Sequence, residues 1–76
     1  MAPLRKNFGG RLRAIRHERS LTQERFAELV GISVDFLSLI ERGINAPSFE
    51  TIERIAHELR VPVKALFDFS EPHGIQ

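Results

Sequence analysis

The chain has 76 residues, of which 42% are hydrophobic and 28% charged, with a net charge of +1; this suits one small domain or part of a larger protein and excludes a disordered segment. Cysteine is absent, which excludes disulfides, zinc–thiolate sites and thiol nucleophiles and fits a reducing cytosol. No apolar run exceeds three residues, so we expect neither a membrane span nor a signal peptide.

Helical periodicity predicts an all-α fold of five helices without a sheet, because no stretch alternates as a half-buried strand would. The helices are expected to begin at Phe8, after the N-cap candidates Thr22, Ser33 and Ser48, and at Pro62. Gly9 and Gly10 weaken the start of the first helix. We therefore expect a compact domain over residues 8–69, between a flexible arm (1–7) and a flexible tail (70–76).

Charge is unevenly divided along these helices. Residues 1–25 carry seven basic and two acidic side chains, whereas residues 26–76 carry four basic and eight acidic ones. A basic end of this kind favours a polyanionic partner. Charge alone leaves open the alternative of a solvated basic helix beside an acidic one.

The second and third predicted helices are short and are joined by only three residues, Gly31, Ile32 and Ser33. Gly31 can take a positive φ without steric cost, and a turn this short makes the two helices cross steeply. Their shared apolar face would pack on the rest of the domain and leave the outer face of the third helix free to enter a groove. A helix-turn-helix over residues 23–42 is one interpretation, and an ordinary helical hairpin is the other.

Several motifs in register resemble the phage Cro and repressor type of helix-turn-helix domain, also called the xenobiotic-response-element family. They are LTQ at 21–23, Phe26-Ala27, Gly31-x-Ser33, IERG at 40–43, PSFETI at 47–52 and Leu59-x-Val61. The resemblance runs from about Leu12 to Phe67. It implies a repressor-like transcriptional regulator that binds a double-stranded DNA operator, with a homodimer as the usual assembly.

The resemblance also implies four contacts to DNA phosphates. Gln23 matches a glutamine at the first position of a helix, where exposed N–H groups and the helix dipole favour an anion. Arg42 and Asn45 match positions that reach the DNA backbone past the end of the third helix. Ser48 marks the N-terminus of the fourth helix, which would hold a further phosphate. For Gln23, a solvated glutamine at a helix start is the alternative.

Base contacts would come from the outer face of the third helix, which follows its cap Ser33. Val34, Asp35, Ser38 and Leu39 occupy the family's groove-facing positions. Val34 and Leu39 are apolar where many relatives carry Gln, Arg or Lys, so they cannot make bidentate hydrogen bonds to purines but can touch a thymine methyl. Asp35 can accept a hydrogen bond from cytosine N4.

Three structural roles are implied as well. Arg16 and Glu41 match a buried ion pair of the family that ties the first helix to the end of the third. Arg60 stands where the family commonly has glycine, so it is expected to adopt a left-handed conformation. The small core cannot bury every apolar residue of the last helix, and part of this set should form a dimer interface: Val63, Leu66, Phe67 and Phe69.

Nothing in the sequence indicates an enzyme. The three histidines lack metal-ligand spacing, and no nucleophile–base arrangement can be argued. We therefore predict a cytoplasmic binding protein without cofactor or metal. The alternative function is a protein-interaction module on the same fold, such as an antitoxin or anti-repressor partner, because the predicted reading face is apolar and partly acidic.

Overall fold

The computed structural model describes residues 3–70, which form four α-helices and one 3₁₀-helix and contain no β-strand. The elements in chain order are α1 (Leu4–Glu18), α2 (Gln23–Val30), α3 (Val34–Glu41), α4 (Phe49–Leu59) and the C-terminal 3₁₀-helix (Val63–Phe67). The predicted all-α fold class is confirmed, and the fifth predicted helix is this 3₁₀-helix. Residues 1–2 and 71–76 of the predicted arm and tail lie outside the described residues.

The first helix begins earlier than predicted, at Leu4 rather than at Phe8. The carbonyl oxygen of Pro3 accepts hydrogen bonds from the backbone amides of Lys6 (3.0 Å) and Asn7 (3.2 Å), which close the first turn. Residues 4–7 show no apolar periodicity because all but Asn7 are exposed. Their assignment to a flexible arm was therefore wrong.

Serine and threonine hydroxyls cap the three following helices as predicted. The side-chain oxygens of Thr22, Ser33 and Ser48 accept hydrogen bonds from the backbone amides three residues later, at 3.0, 3.0 and 3.1 Å. Each cap is worth about 1 kcal/mol. These local bonds fix where α2, α3 and α4 begin.

The core lies where α1, α2, α3, α4 and the 3₁₀-helix meet. Its largest fully buried side chains are Leu12, Phe26, Val30, Leu37, Ile40, Ile55, Leu59 and Leu66. Gly9 lies where α1 crosses the end of α3, and a Cβ at this position would overlap the carbonyl oxygen of Ile40. Gly9 thus permits the contact between α1 and α3, a role that helix propensity alone does not indicate. Gly10 faces open space.

Residues with positive φ end α2 and α4. Gly31 has φ 84° and ends α2, and its amide donates to the carbonyl oxygen of Ala27 at 2.8 Å. Arg60 has φ 59° and ψ 46° at the end of α4, the left-handed conformation that was predicted. The turn at Gly31 positions α3 across α2, and it leaves one side of α3 uncovered.

Candidate nucleic-acid interface

The outer face of α3 carries the predicted base-reading residues. Asp35 is exposed, Ser38 and Leu39 are half-buried, and neither polar side chain has a hydrogen bond to a described residue. Val34 is also half-buried, but unlike Leu39 it packs against the core cluster. The opposite face of α3 is fixed in the core by Leu37 and Ile40. One side of the helix is thus anchored and the other is open.

The predicted phosphate contacts beyond α3 lie on the exposed loop between α3 and α4. Arg42 is the C-cap of α3, and its exposed side chain has no hydrogen bond to a described residue. Asn45 is also exposed. The hydroxyl of Ser48 accepts from the Thr51 amide and donates to Thr51 Oγ1 at 3.1 Å, so it is engaged in the helix cap. Any anion held there would depend on backbone N–H groups.

Arg16 and Glu41 form the predicted ion pair in a buried position. Arg16 Nε donates to Glu41 Oε2 at 2.7 Å, and Arg16 Nη2 donates to Glu41 Oε1 at 3.0 Å. The side chains are only 8% and 2% exposed. Arg16 Nη1 also donates to the carbonyl oxygen of Leu21 at 2.7 Å. The bidentate geometry joins α1, the α1–α2 turn and α3 in one network.

Gln23 belongs to the same network, which sequence reasoning missed. Its Nε2 donates to Glu41 Oε1 at 3.0 Å, so the amide at the start of α2 is held by the end of α3. A primary amide has two N–H donors, and Glu41 uses one of them. The other can still reach an anion. Sequence spacing carries no signal for this bond, which spans 18 residues.

These side chains line a cleft of about 570 Å³ between α1, α2 and α3. It is lined by Arg13, Arg16, Gln23, Glu24, Ser38, Glu41 and Arg42. Three of the predicted DNA contacts (Gln23, Ser38 and Arg42) are thus brought together. Two further charged residues, Arg13 and Glu24, were not singled out from the sequence.

Most arginines of the basic N-terminal region bond within the molecule. Arg5 donates to the carbonyl oxygen of Gly43, Arg11 to that of Ala65 and Arg19 to that of Leu59, at 2.9, 2.9 and 2.7 Å. Carbonyl groups near helix ends carry partial negative charge and lack intrahelical donors. Much of the positive charge in this region therefore stabilises the fold. The number of basic residues in the sequence overstates how many are free to bind DNA phosphates.

The four residues predicted at a dimer interface do not share one environment. Leu66 is 0% exposed and belongs to the core, so its assignment to an interface was wrong. The 3₁₀-helix turns Leu66 inward because it packs on α1 and α4. Val63 is 42% exposed, while Phe67 and Phe69 are half-buried and meet edge-to-face, with ring centroids 6.3 Å apart.

Phe67 also borders an apolar groove on the surface of the domain. Phe49 is 84% exposed and Leu4 is 61% exposed. With Phe8, Pro47 and Phe67 they line a shallow apolar groove of about 320 Å³. The phenyl ring of Phe49 follows the Ser48 cap, in the PSFETI stretch, and periodicity alone did not mark it as exposed. Such a patch on a small domain is typical of an interaction surface.

Residues 3–70 contain neither a candidate membrane-spanning helix nor a group of metal-ligand side chains. None of the helices in this range combines the length and the apolar character that crossing a membrane requires. In the same part of the chain, no three His, Asp or Glu side chains are grouped as metal ligands. His17 is exposed, and its Nε2 lies 3.3 Å from Arg16 Nη2, at the edge of the buried ion pair.

The fold agrees with that of known proteins. Residues 12–66 match the sequence profile of HTH_3, a helix-turn-helix family. The chain belongs to this family. The matched range runs from the middle of α1 to Leu66, so it contains the whole motif and every buried core residue except Phe8.

Several curated members of the family are similar in sequence. The immunity repressor of Bacillus phage phi105 is 43% identical over 58 residues, which cover 76% of this chain and 40% of the relative. The control protein C.BamHI of Bacillus amyloliquefaciens is 37% identical, over 88% of this chain and 84% of the relative. The chain spans between 40% and 58% of the length of the first three repressors that it matches.

Solved structures give the same result. The restriction-modification controller protein C.AhdI of Aeromonas hydrophila has a TM-score of 0.80 and 33% identity, with 83% of this chain and 96% of that chain covered. The clp gene regulator ClgR of Corynebacterium glutamicum has a TM-score of 0.81 and 31% identity, over 86% of this chain and 69% of that chain.

Proposed function

We propose that this chain is a DNA-binding transcriptional regulator, repressor-like in action, that inserts α3 into the major groove of a duplex operator. The observation that carries the proposal is the asymmetry of α3. Its inner face is fully buried, whereas Asp35 and Ser38 on its outer face have no hydrogen-bond partner among the described residues. A helix anchored in this way fits the major groove, which admits an α-helix.

The phosphate contacts would flank this helix. The second N–H of Gln23, the guanidinium of Arg42, the amide of Asn45 and the N-terminus of α4 at Ser48 are the proposed donors. The hydrogen bond from Gln23 to Glu41 supports this assignment, because it holds the amide in one orientation before DNA arrives. Preorganised donors lose less entropy on binding.

The proposed base contacts are Asp35, Ser38 and Leu39, with Val34 and the cap Ser33 at the beginning of the helix. Leu39 offers a methyl-bearing side chain that is not part of the core cluster. Val34 packs partly inward, which favours a smaller contribution to readout. The proposal includes action in the cytoplasm and repression of transcription. Repression is supported by the names of the phage phi105 and RstR relatives, both of which are called repressors.

We further propose that the protein binds DNA as a homodimer. The groove that Phe67 and the exposed ring of Phe49 line is an apolar surface next to the predicted residue Phe69, whose ring centroid lies 6.3 Å from that of Phe67. The same surface favours the second candidate function, an interaction module for another protein, because a partner would bury the same ring. Whether a second copy covers this surface separates the two candidates.

The test of the proposed function is selection of bound sequences from a random duplex pool, followed by affinity measurements at 50 and 200 mM salt. A regulator with several phosphate contacts should enrich one motif and lose affinity at least about tenfold between these salt concentrations. Absence of binding at low salt would favour the interaction module. Enrichment without a motif would contradict sequence-specific readout.

A further inference from the structure

Five of the eleven Lys and Arg side chains in residues 3–70 have neither a hydrogen bond nor an ion pair with a described residue: Lys6, Arg13, Arg42, Arg60 and Lys64. Of the seven basic side chains in residues 1–25, five have a hydrogen bond or ion pair within the molecule: Arg5, Arg11, Arg16, Arg19 and Arg25. Lys6 and Arg13 are exposed and have neither with any described residue. They are seven residues apart on α1, which is close to two helical turns, so they lie on the same side of the helix.

That side of α1 faces the end of α3. Arg13 lines the cleft that also contains Ser38 and Arg42 of the motif. Lys6 lies against Gly43, the residue after Arg42: a Cβ on Gly43 would be 2.6 Å from Lys6 Cγ and 2.8 Å from Lys6 Cα. The two free cations of α1 therefore lie beside the C-terminal end of α3, the helix that is proposed to enter the groove.

The charges inside the cleft leave a net attraction for an anion. Arg16 and Glu41 neutralise each other in their buried pair. Arg13 and Arg42 remain as two positive charges, against one negative charge on the exposed Glu24. The cleft therefore keeps a net charge of +1, which favours anions near its mouth.

We infer that Lys6 and Arg13 of α1 bind the sugar-phosphate backbone of duplex DNA beside α3, as contacts that carry no base specificity. The inference rests on the proposed function, and it adds α1 to a DNA surface that was otherwise assigned to α2, α3 and the N-terminus of α4. Arg13 can hold a phosphate through two N–H groups, whereas Lys6 acts as a point charge on a longer, flexible chain.

The salt dependence of DNA binding tests the inference. The proteins are the wild type, Arg13→Gln, Lys6→Gln and the double variant, with a duplex taken from the selected pool. Each neutralisation of a phosphate-binding cation reduces the magnitude of the slope of log Kobs against log salt by about 0.9. The slope of the double variant should therefore be less steep by about 1.8. Relative binding to different sequences should stay unchanged, because backbone contacts do not read bases.

Two controls make the result specific. Lys64→Gln removes the same charge from the 3₁₀-helix, which does not line the cleft, and should leave the slope within error of the wild type. Arg13→Lys keeps the charge and should keep the slope. Both α1 side chains are exposed and unbonded, so thermal melting should confirm that each variant folds as the wild type does.

The outcomes are distinguishable. If the wild type binds with a steep salt slope and the two α1 variants match Lys64→Gln, the inference is overturned and the proposed function stands. If the wild type shows no salt-dependent binding to any duplex, the proposed function fails and the inference falls with it. A slope that decreases in the α1 variants alone supports both.

Discussion

Gln23 Nε2 donates a hydrogen bond to Glu41 Oε1 at 3.0 Å, and so the first residue of α2 is tied to the last residue of α3. Glu41 receives Arg16 on the same oxygen, at 3.0 Å from Nη2. One buried carboxylate thus holds the structural arginine and the proposed phosphate-binding amide together. Stability and the proposed DNA contact are coupled at this point, because a change at Glu41 releases both partners.

Removing one partner of the buried pair should be costly. Arg16→Met leaves the Glu41 carboxylate buried without its cation, and Glu41→Leu leaves the Arg16 guanidinium buried without its anion. Each variant should lower the free energy of unfolding by about 3–5 kcal/mol. The double variant Arg16→Met/Glu41→Leu should recover most of this loss, since no unpaired charge remains. Urea unfolding measures all three. Additive losses in the double variant would mean that the pair is not coupled in this way.

The adjacent glycines of α1 should respond in opposite directions. Gly9→Ala places a Cβ against the carbonyl oxygen of Ile40 and should destabilise the domain by at least about 1–3 kcal/mol. Gly10→Ala meets nothing within 4 Å and should stabilise it by about 0.5–1 kcal/mol, through the lower helix propensity of glycine. Thermal melts of the two variants provide a matched comparison. Equal effects would show that α1 and α3 can separate without cost.

Local features of this fold were predictable from the sequence, and contacts between distant residues were not. Ser33 caps α3 through an amide three residues away, and Arg60 is left-handed because of the turn that follows α4. By contrast, Arg5 and Arg11 reach carbonyl oxygens 38 and 54 residues distant, for which charge and spacing contain no signal. Helical periodicity also could not distinguish Leu66, which is buried in the monomer, from a residue that is exposed until a partner covers it.

The site divides in the same way. The family resemblance singled out Gln23, Ser38 and Arg42, and the structure brings these three residues to one cleft. It did not indicate Arg13, because an arginine of a basic helix is ordinarily a solvated one. Arg13 and Lys6 differ from the arginines that bond to helix ends in having no hydrogen bond to a described residue, and the sequence does not reveal this difference.

Arg60 should be replaceable by glycine without loss. Its φ of 59° puts Cβ close to the following carbonyl group, a strain of about 1 kcal/mol that glycine does not have. Arg60→Gly should be neutral or stabilising by up to about 1 kcal/mol, the greater entropy of glycine in the unfolded chain offsetting part of the relief. Arg60→Ala keeps the Cβ and should show no relief. Chemical denaturation compares the two, and a clear destabilisation by glycine would contradict the reasoning.

The exposed ring of Phe49 should govern self-association. Phe49→Ser removes the most exposed large apolar side chain of the described residues from the edge of the groove, so it should weaken or abolish the proposed dimer. Ile44→Ser is the matched control, because Ile44 is 53% exposed but does not line the groove. Sedimentation equilibrium at high micromolar concentration measures both. A wild type that stays monomeric with and without operator DNA would rule out the homodimer.

Base readout by this domain should depend on thymine methyl groups. Leu39 is half-buried on the outer face of α3 and is not part of the core cluster, so its side chain can meet the major groove. Thymine is the only base that presents a methyl there, and uracil lacks that methyl while keeping the same hydrogen-bonding edge. Uracil at a contacted position should therefore weaken binding by about 1 kcal/mol, the free energy of burying one carbon group.

The Leu39→Ala variant connects this effect to one side chain. It should bind the thymine operator more weakly and should greatly reduce the thymine–uracil difference at one position in each half-site, leaving the other positions unchanged. Val34→Ala serves for comparison: Val34 packs on the core, so its main effect should be on stability, with a smaller change in thymine discrimination. Competition binding with singly substituted duplexes measures each difference. If uracil across the whole site changes nothing, apolar readout is excluded, and specificity must come from Asp35, Arg42 or the sequence-dependent shape of the DNA.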